Sequence, residues 1–178
     1  MEIDIPEIFN QKLKEKKLTI VCAESITAGL LASTIASIPG ASDVLIGSIV
    51  TYSRKLKTSV LNVDPRIIDF NTAESIQTTT EMAYGLLKIY PSADIFVAVT
   101  GVASSSVNNY ENDKPVGQIY ISVYYKNKIN ETDPKISKEE IKVLADIAIR
   151  NNIIKSERNI IREITVEKIF DFILKIIE

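Results

Sequence analysis

Three short runs along the chain are apolar and rich in β-branched residues: 18–23, 43–52 and 94–100. Apolar runs of this length without alternation read as strands buried on both faces, the kind that sit in parallel sheets covered by helices. A fourth run, 118–125, alternates Ile119, Ile121 and Val123 with Gln, Tyr and Ser. That predicts a strand with one more exposed face, antiparallel or near an edge. Between these runs the period changes to that of a helix. Ile8, Phe9 and Leu13 mark a short amphipathic helix over 6–15 that starts at its proline. Leu30, Leu31, Thr34, Ile35 and Ile38 mark a second, and a third runs to about Leu61. Residues 72–90 form the clearest helix, with Ser75 as N-cap, Met82, Ala83, Leu86, Leu87 and Ile89 on its apolar face, and Pro91 closing it. A final amphipathic helix spans 156–177. The stretches 62–65 and 69–72 read as loop, and 102–114 as a Ser- and Asn-rich loop at the end of a strand. Residues 126–138 read as a polar turn or surface excursion, and 139–152 as a short helix followed by a strand around Ile147 to Arg150 and Ile153-Ile154. No repeat or linker interrupts the chain. The alternation predicts an α/β protein, an α/β/α sandwich, with residues 1–178 as a single domain.

The chemistry concentrates where the first strand ends. Glu24-Ser25-Ile26-Thr27-Ala28-Gly29 places a serine between a strand and the helix that follows. The bland role for Ser25 is an N-cap, which serine favours. A functional role would use the unpaired N–H groups of a helix start to hold a phosphate or an oxyanion. The second apolar run raises the functional odds, because it ends in Thr51-Tyr52 and is followed by Lys55 and Lys57. Serine, tyrosine and lysine suffice for acyl transfer without histidine. A partly desolvated lysine gives up its proton readily and can take one from a serine hydroxyl, and a tyrosine can orient or relay it.

Composition narrows the field. The chain has 178 residues, 46% hydrophobic and 25% charged, with a net charge of −2, so no basic excess points to nucleic acid. It contains no histidine and one cysteine, which excludes Ser-His-Asp catalysis, a Cys/His zinc site and an internal disulfide. No DxD or EF-hand spacing, GxGxxG or P-loop pattern occurs, so no metal or cofactor is expected. The N-terminus lacks a signal-peptide layout and no apolar run approaches the ~20 residues of a membrane span. A reduced cytoplasmic protein without membrane attachment is the expectation.

Six pieces in order carry a family resemblance: Ala23-Glu24-Ser25-Ile26-Thr27-Ala28-Gly29; Gly47 to Ser53 with Lys57; Ser75 and Met82-Ala83-Tyr84-Gly85; Thr100-Gly101-Val102-Ala103; Lys114-Pro115-Val116-Gly117; and Ser156-Glu157-Arg158. Together the chain resembles the CinA C-terminal domain family, the nicotinamide-nucleotide amidases also known as competence/damage-inducible proteins. The resemblance implies an α/β/α domain with a mixed, roughly five-stranded sheet. It implies hydrolysis of the carboxamide of nicotinamide mononucleotide to nicotinate mononucleotide and ammonia, in pyridine-nucleotide recycling. Carried over by position, Ser25 is the nucleophile, Lys57 the general base with Lys55 as competitor, and Tyr52 the relay. Glu24, Thr27, Gly29, Gly101, Ala103 and Arg158 are the substrate-binding residues, with Arg158 aimed at the phosphate. A small-molecule nucleotide is the expected partner, in a homo-oligomer. The chain departs from the family pattern at Ala28, where a glycine is usual, and at Ser104-Ser105-Ser106, where further glycines are usual. An amidase with another substrate, or a non-catalytic regulatory or binding module of the same fold, are the alternatives.

Overall fold

A computed structural model of the chain describes residues 4–104, 114–151 and 155–178. The three apolar runs form β1 (Ile20–Glu24), β2 (Leu45–Val50) and β3 (Ile95–Gly101), and the alternating run forms β4 (Ile119–Tyr125). A fifth strand, β5 (Lys128–Thr132), completes a sheet of order β2-β1-β3-β4-β5. β1 lies between β2 and β3 and is parallel to both, whereas β4 is antiparallel to β3 and β5 to β4. The sheet is therefore mixed and five-stranded, as expected.

Side chains alternate across the pleat into two cores. Ile20, Cys22, Ile95, Val97, Val99, Ile121 and Val123 point to one face. There they meet Phe9 and Leu13 of α1 (Ile5–Glu15), Leu31 and Ile35 of α2 (Leu30–Ala36), and a row of residues from Ile160 to Ile177 on α7 (Glu157–Ile177). Phe9 and Phe170 stack with ring centroids 4.4 Å apart, tying the first helix to the last. Val21, Ala23, Phe96 and Ala98 point the other way, against Leu61 of α3 (Arg54–Leu61), Ile68 of α4 (Pro65–Asn71) and Met82, Ala83 and Leu86 of α5 (Ile76–Ile89). Both faces are covered over β1 and β3, which is why these two read as continuous apolar runs; β2, expected to be buried in the same way, is an edge strand that leaves Ile46 and Val50 exposed.

Three segments differ from their sequence expectation. Residues 126–138 hold β5, whose Lys-Ile-Asn-Glu-Thr sequence is polar because it is a sheet edge with one side in water. Residues 62–72 hold α4, built on the Asp64-Pro65 pair, with the Asp64 carboxylate accepting from Arg66 N at 2.8 Å. Residues 138–150 are one helix, α6 (Lys138–Arg150), and not a helix followed by a strand. Its start is a capping box in which Ser137 Oγ accepts from Glu140 N and the Glu140 carboxylate accepts from Ser137 N. Ile141, Leu144 and Ala145 then face the α7 core, so helical spacing wins over the β-branched residues at its end. The expected strand at 153–154, and most of the Ser- and Asn-rich loop at 105–113, lie outside the described residues.

α3 and α5 approach so closely that a Cβ added at Gly85 would lie 2.3 Å from the Leu61 carbonyl oxygen and 2.8 Å from Leu61 Cβ. Backbone cannot yield as a side-chain tip can. Gly85→Ala is expected to destabilise the protein by about 2 kcal/mol or more, read as a lower denaturant midpoint with an unchanged slope. An unchanged midpoint would contradict this packing.

Candidate active site

The site forms where the parallel strands end, the usual place for ligands in open α/β sheets. Ser25 follows β1 and remains held to β3, its amide donating to Val99 O at 3.0 Å. Thr51, leaving β2, donates its amide to Glu24 O at 2.9 Å and so stays beside β1.

Ser25 is not a helix cap. α2 begins five residues later, at Leu30, with Gly29 (φ 94°) as its N-cap, and residues 25–29 form a turn in which Ala28 adopts φ 48°. The helix amides expected to serve an oxyanion are already taken. The fully buried Glu24 carboxylate accepts from Gly29 N (2.9 Å), Leu31 N (3.1 Å) and Ala32 N (3.1 Å), and from Ser48 Oγ (2.8 Å). A buried carboxylate is tolerable only with such saturation, and the helix N-terminus supplies it. Glu24, expected to bind substrate, therefore anchors the turn that carries Ser25. The amides of Ile26 and Thr27, next along the chain from Ser25, have no acceptor among the described residues.

Lys57 comes to Ser25 from α3. Ser53 caps that helix, its Oγ accepting from Leu56 N, which fixes Lys57 one turn in. The Lys57 side chain is 1% exposed. Its Nζ lies 2.8 Å from Ser25 Oγ, 2.7 Å from Thr51 O and 3.5 Å from Tyr52 O. Lys55, on the same helix, is exposed. A neutral amine matches Lys57's three neighbours: two N–H groups serve the two carbonyls and the lone pair faces the serine hydroxyl. Burial pulls the Lys57 pKa down to about 8, with the charge of Glu74 opposing the shift.

A cavity of about 420 Å³ opens over this pair. Ser25, Tyr52, Gly101, Ala103, Ser104 and Arg158 line it, together with Ile26, Val102 and Val116. Its volume falls among small-ligand sites, roughly 300–1,000 Å³. Tyr52 is 54% exposed, and its hydroxyl accepts from the Arg158 guanidinium, which also donates to Ser104 Oγ at 2.8 Å. Among the described residues the Tyr52 hydroxyl bonds neither Ser25 nor Lys57, so the expected relay is not made in this geometry. Thr27 is fully buried and lies outside the lining. Its carbonyl accepts from Arg162 Nη2 at 2.7 Å and Nε at 3.2 Å. Gly101 does line the cavity, but its missing side chain serves β4, since a Cβ there would lie 2.7 Å from Gln118 O. Gly29 belongs to the turn.

Two charged lining residues, Lys114 and Glu74, were not singled out from the sequence. Lys114 stands in the Lys-Pro-Val-Gly stretch that carried part of the resemblance, so a signal for it existed. Glu74 gave none, being a polar residue just ahead of a helix cap. A larger cavity of about 560 Å³ lies at the other end of the sheet, among Lys16, Leu18, Tyr125, Lys126 and Lys128. Among the described residues it holds no Ser–Lys pair. Among the described residues no cluster of His, Cys, Asp or Glu could hold a metal ion, and no helix is long and apolar enough to cross a membrane.

Fold and site together define an α/β/α sandwich with a buried Ser–Lys pair at the carboxyl ends of its parallel strands. Residues 2–150 match the model of the CinA C-terminal domain, and the chain belongs to that family. It is 34% identical over 174 residues to a competence-damage inducible protein of Clostridium botulinum, covering 98% of this chain and 37% of the relative. It is 42% identical over 121 residues to a CinA-like protein of Thermotoga neapolitana, covering 68% and 29%. The chain thus spans about a third of the length of these curated relatives. Among solved structures, the competence/damage inducible protein CihA from Agrobacterium tumefaciens superposes with a TM-score of 0.78 at 25% identity, over 100% of this chain and 99% of that one.

The lowered Lys57 pKa has a thermodynamic consequence. Between pH 8 and 10.5 the unfolded lysine holds a proton that the folded one has lost, so stability rises with pH across that window. Below pH 8 both forms are protonated, and the folded state carries the full cost of the buried charge. Wild type is expected to gain about 3 kcal/mol relative to Lys57→Met on going from pH 8 to 10.5. Parallel pH–stability curves for the two proteins would show that Lys57 is not desolvated as described.

Proposed function

We propose that the chain is a metal-independent serine amidohydrolase that converts nicotinamide mononucleotide to nicotinate mononucleotide and ammonia. The observation that carries this reading is Lys57 Nζ at 2.8 Å from Ser25 Oγ, both beneath a ligand-sized cavity. In this reading neutral Lys57 takes the serine proton as Oγ attacks the carboxamide carbon. Charge then moves to the carbonyl oxygen, where the amides of Ile26 and Thr27 are the nearest unused donors along the chain. The lysine ammonium returns the proton to the amide nitrogen, the C–N bond breaks and ammonia leaves. Water attacks the acyl-serine ester with Lys57 again as base. The product acid departs and Ser25 regains its hydrogen.

The far wall of the cavity suits the substrate's phosphate. Arg158 sits in the first turn of α7, whose N-terminus Ser156 caps. Its guanidinium is held by two neutral hydroxyls, which fix its position without cancelling its charge. Tyr52 in this reading positions Arg158 and walls the cavity, instead of relaying a proton.

Ammonia release from nicotinamide mononucleotide is the direct test. Ser25→Ala and Lys57→Ala are each expected to lower kcat by about 10³-fold or more, with chelators without effect. The kcat/KM of wild type is expected to rise with pH through an apparent pKa of about 8, following deprotonation of Lys57. Arg158→Ala is expected to raise KM by about tenfold with a smaller change in kcat. A folded wild type that releases no ammonia from this substrate would overturn the reading and direct a screen of other amides.

A further inference from the structure

Among the described residues that line the cavity, one is an acid. Among its lining residues Glu74 is the carboxylate, while Lys114 and Arg158 are cations and Lys57 lies beneath Ser25. In a site that binds a phosphate, a carboxylate works against the ligand unless the ligand also brings positive charge. Resting on the amidase reading, we infer that Glu74 is a specificity-determining residue, its carboxylate favouring a carboxamide on a cationic ring, an N-substituted pyridinium, over the same amide on a neutral ring.

The backbone that presents Glu74 is pinned from several sides. Thr72 Oγ1 and Lys114 Nζ both donate to Glu74 O, the former at 3.2 Å. Thr100 Oγ1, at the end of β3, donates to Ala73 O at 3.1 Å. Ser75, the next residue, caps α5 by accepting from Thr78 N at 3.2 Å. Lys114 also donates to Thr72 Oγ1 at 2.7 Å and to Asn71 O at 3.1 Å, so the lysine and the acid share one rigid platform. The backbone that carries half-buried Glu74 is therefore fixed in advance of binding, which limits where its side chain can put its charge. Its charge is felt at Lys57 and at Lys114, where in each case it opposes the effect of burial. Glu74 is thus within electrostatic reach of Lys57, the partner of Ser25. A zwitterionic substrate meets a matching field: anion toward Arg158, cation toward Glu74.

The test compares nicotinamide mononucleotide with its dihydro form, which has the same carboxamide and phosphate but, with one hydride added to the ring, neither the positive charge nor the aromaticity. Binding is measured by calorimetry to Ser25→Ala and to Ser25→Ala/Glu74→Gln, so that no turnover intervenes. The preference for the cationic ligand is expected to fall by about five- to tenfold when Glu74 becomes Gln, with the dihydro form bound equally well or better. A loss of fold would weaken both ligands alike, and thermal melts of the two proteins identify that case. Glu74→Asp is then measured in its place, and is expected to retain most of the preference. An unchanged ratio in a folded protein would overturn the inference, and so would binding of neither ligand. The amidase reading is judged separately, by ammonia release from wild type. Turnover with an unchanged binding ratio sinks only the role of Glu74. A Glu74-dependent preference without turnover sinks the amidase reading and leaves the role of Glu74 standing.

Discussion

The structure depends on keeping one lysine out of water. Lys57 is buried as deeply as the core leucines, and desolvation of its charged form moves its proton affinity to where a base is useful. The fold supplies what makes this tolerable. Parallel pairing of β1 and β2 brings Ser25 and the Thr51 carbonyl side by side, and a serine-capped helix delivers Nζ between them. Each group near Nζ accepts or donates a hydrogen bond that the neutral amine can complete. The stability lost by burying Lys57 is recovered in the two cores on either side of the sheet. This is the usual arrangement in which a strained functional group is carried by a well-packed scaffold.

A second constraint surrounds Ser25. The turn from Ser25 to Gly29 is held from below by Glu24, whose carboxylate gathers the first amides of α2, and from the side by Arg162, whose guanidinium grips the Thr27 carbonyl. Arg162 lies one helical turn beyond Arg158 on α7. One helix therefore both fixes the Ser25 turn and presents a cation to the cavity. The consequence is geometric: the distance between the serine oxygen and Arg158 is set by packing of α7 on the sheet and not by a loop. Precision of that kind is what positioning a two-ended substrate requires.

The same geometry separates residues that touch the cavity from residues that hold it. Ser25, Tyr52, Gly101, Ala103 and Arg158, all legible in the sequence, line it. Glu24, Thr27 and Gly29 were legible as part of the same stretch, yet they support the turn. Sequence proximity to a nucleophile marks both kinds of residue alike, because a turn that aims a side chain needs its neighbours for its own hydrogen bonds.

Along the chain, local rules settled most elements. Doubly buried strands, the capped α5 and the long α7 follow from apolar periodicity and from Ser75 and Ser156. Where two local rules competed they did not decide: α6 reads as helix or strand until its Ile141–Leu144 face is seen against α7, and β5 reads as a turn until β4 offers it an edge. The sequence alone determined that the chain is an α/β sandwich and that serine, tyrosine and lysine are its available chemistry, because composition excludes histidine and spacing places these residues at strand ends. Only the tertiary structure set Lys57 rather than Lys55 against Ser25, turned Tyr52 toward Arg158, closed the α2 amides with Glu24 and brought Glu74 and Lys114 into the cavity. Each of those depends on contacts between segments far apart in sequence, and no local pattern encodes which side chain will face which.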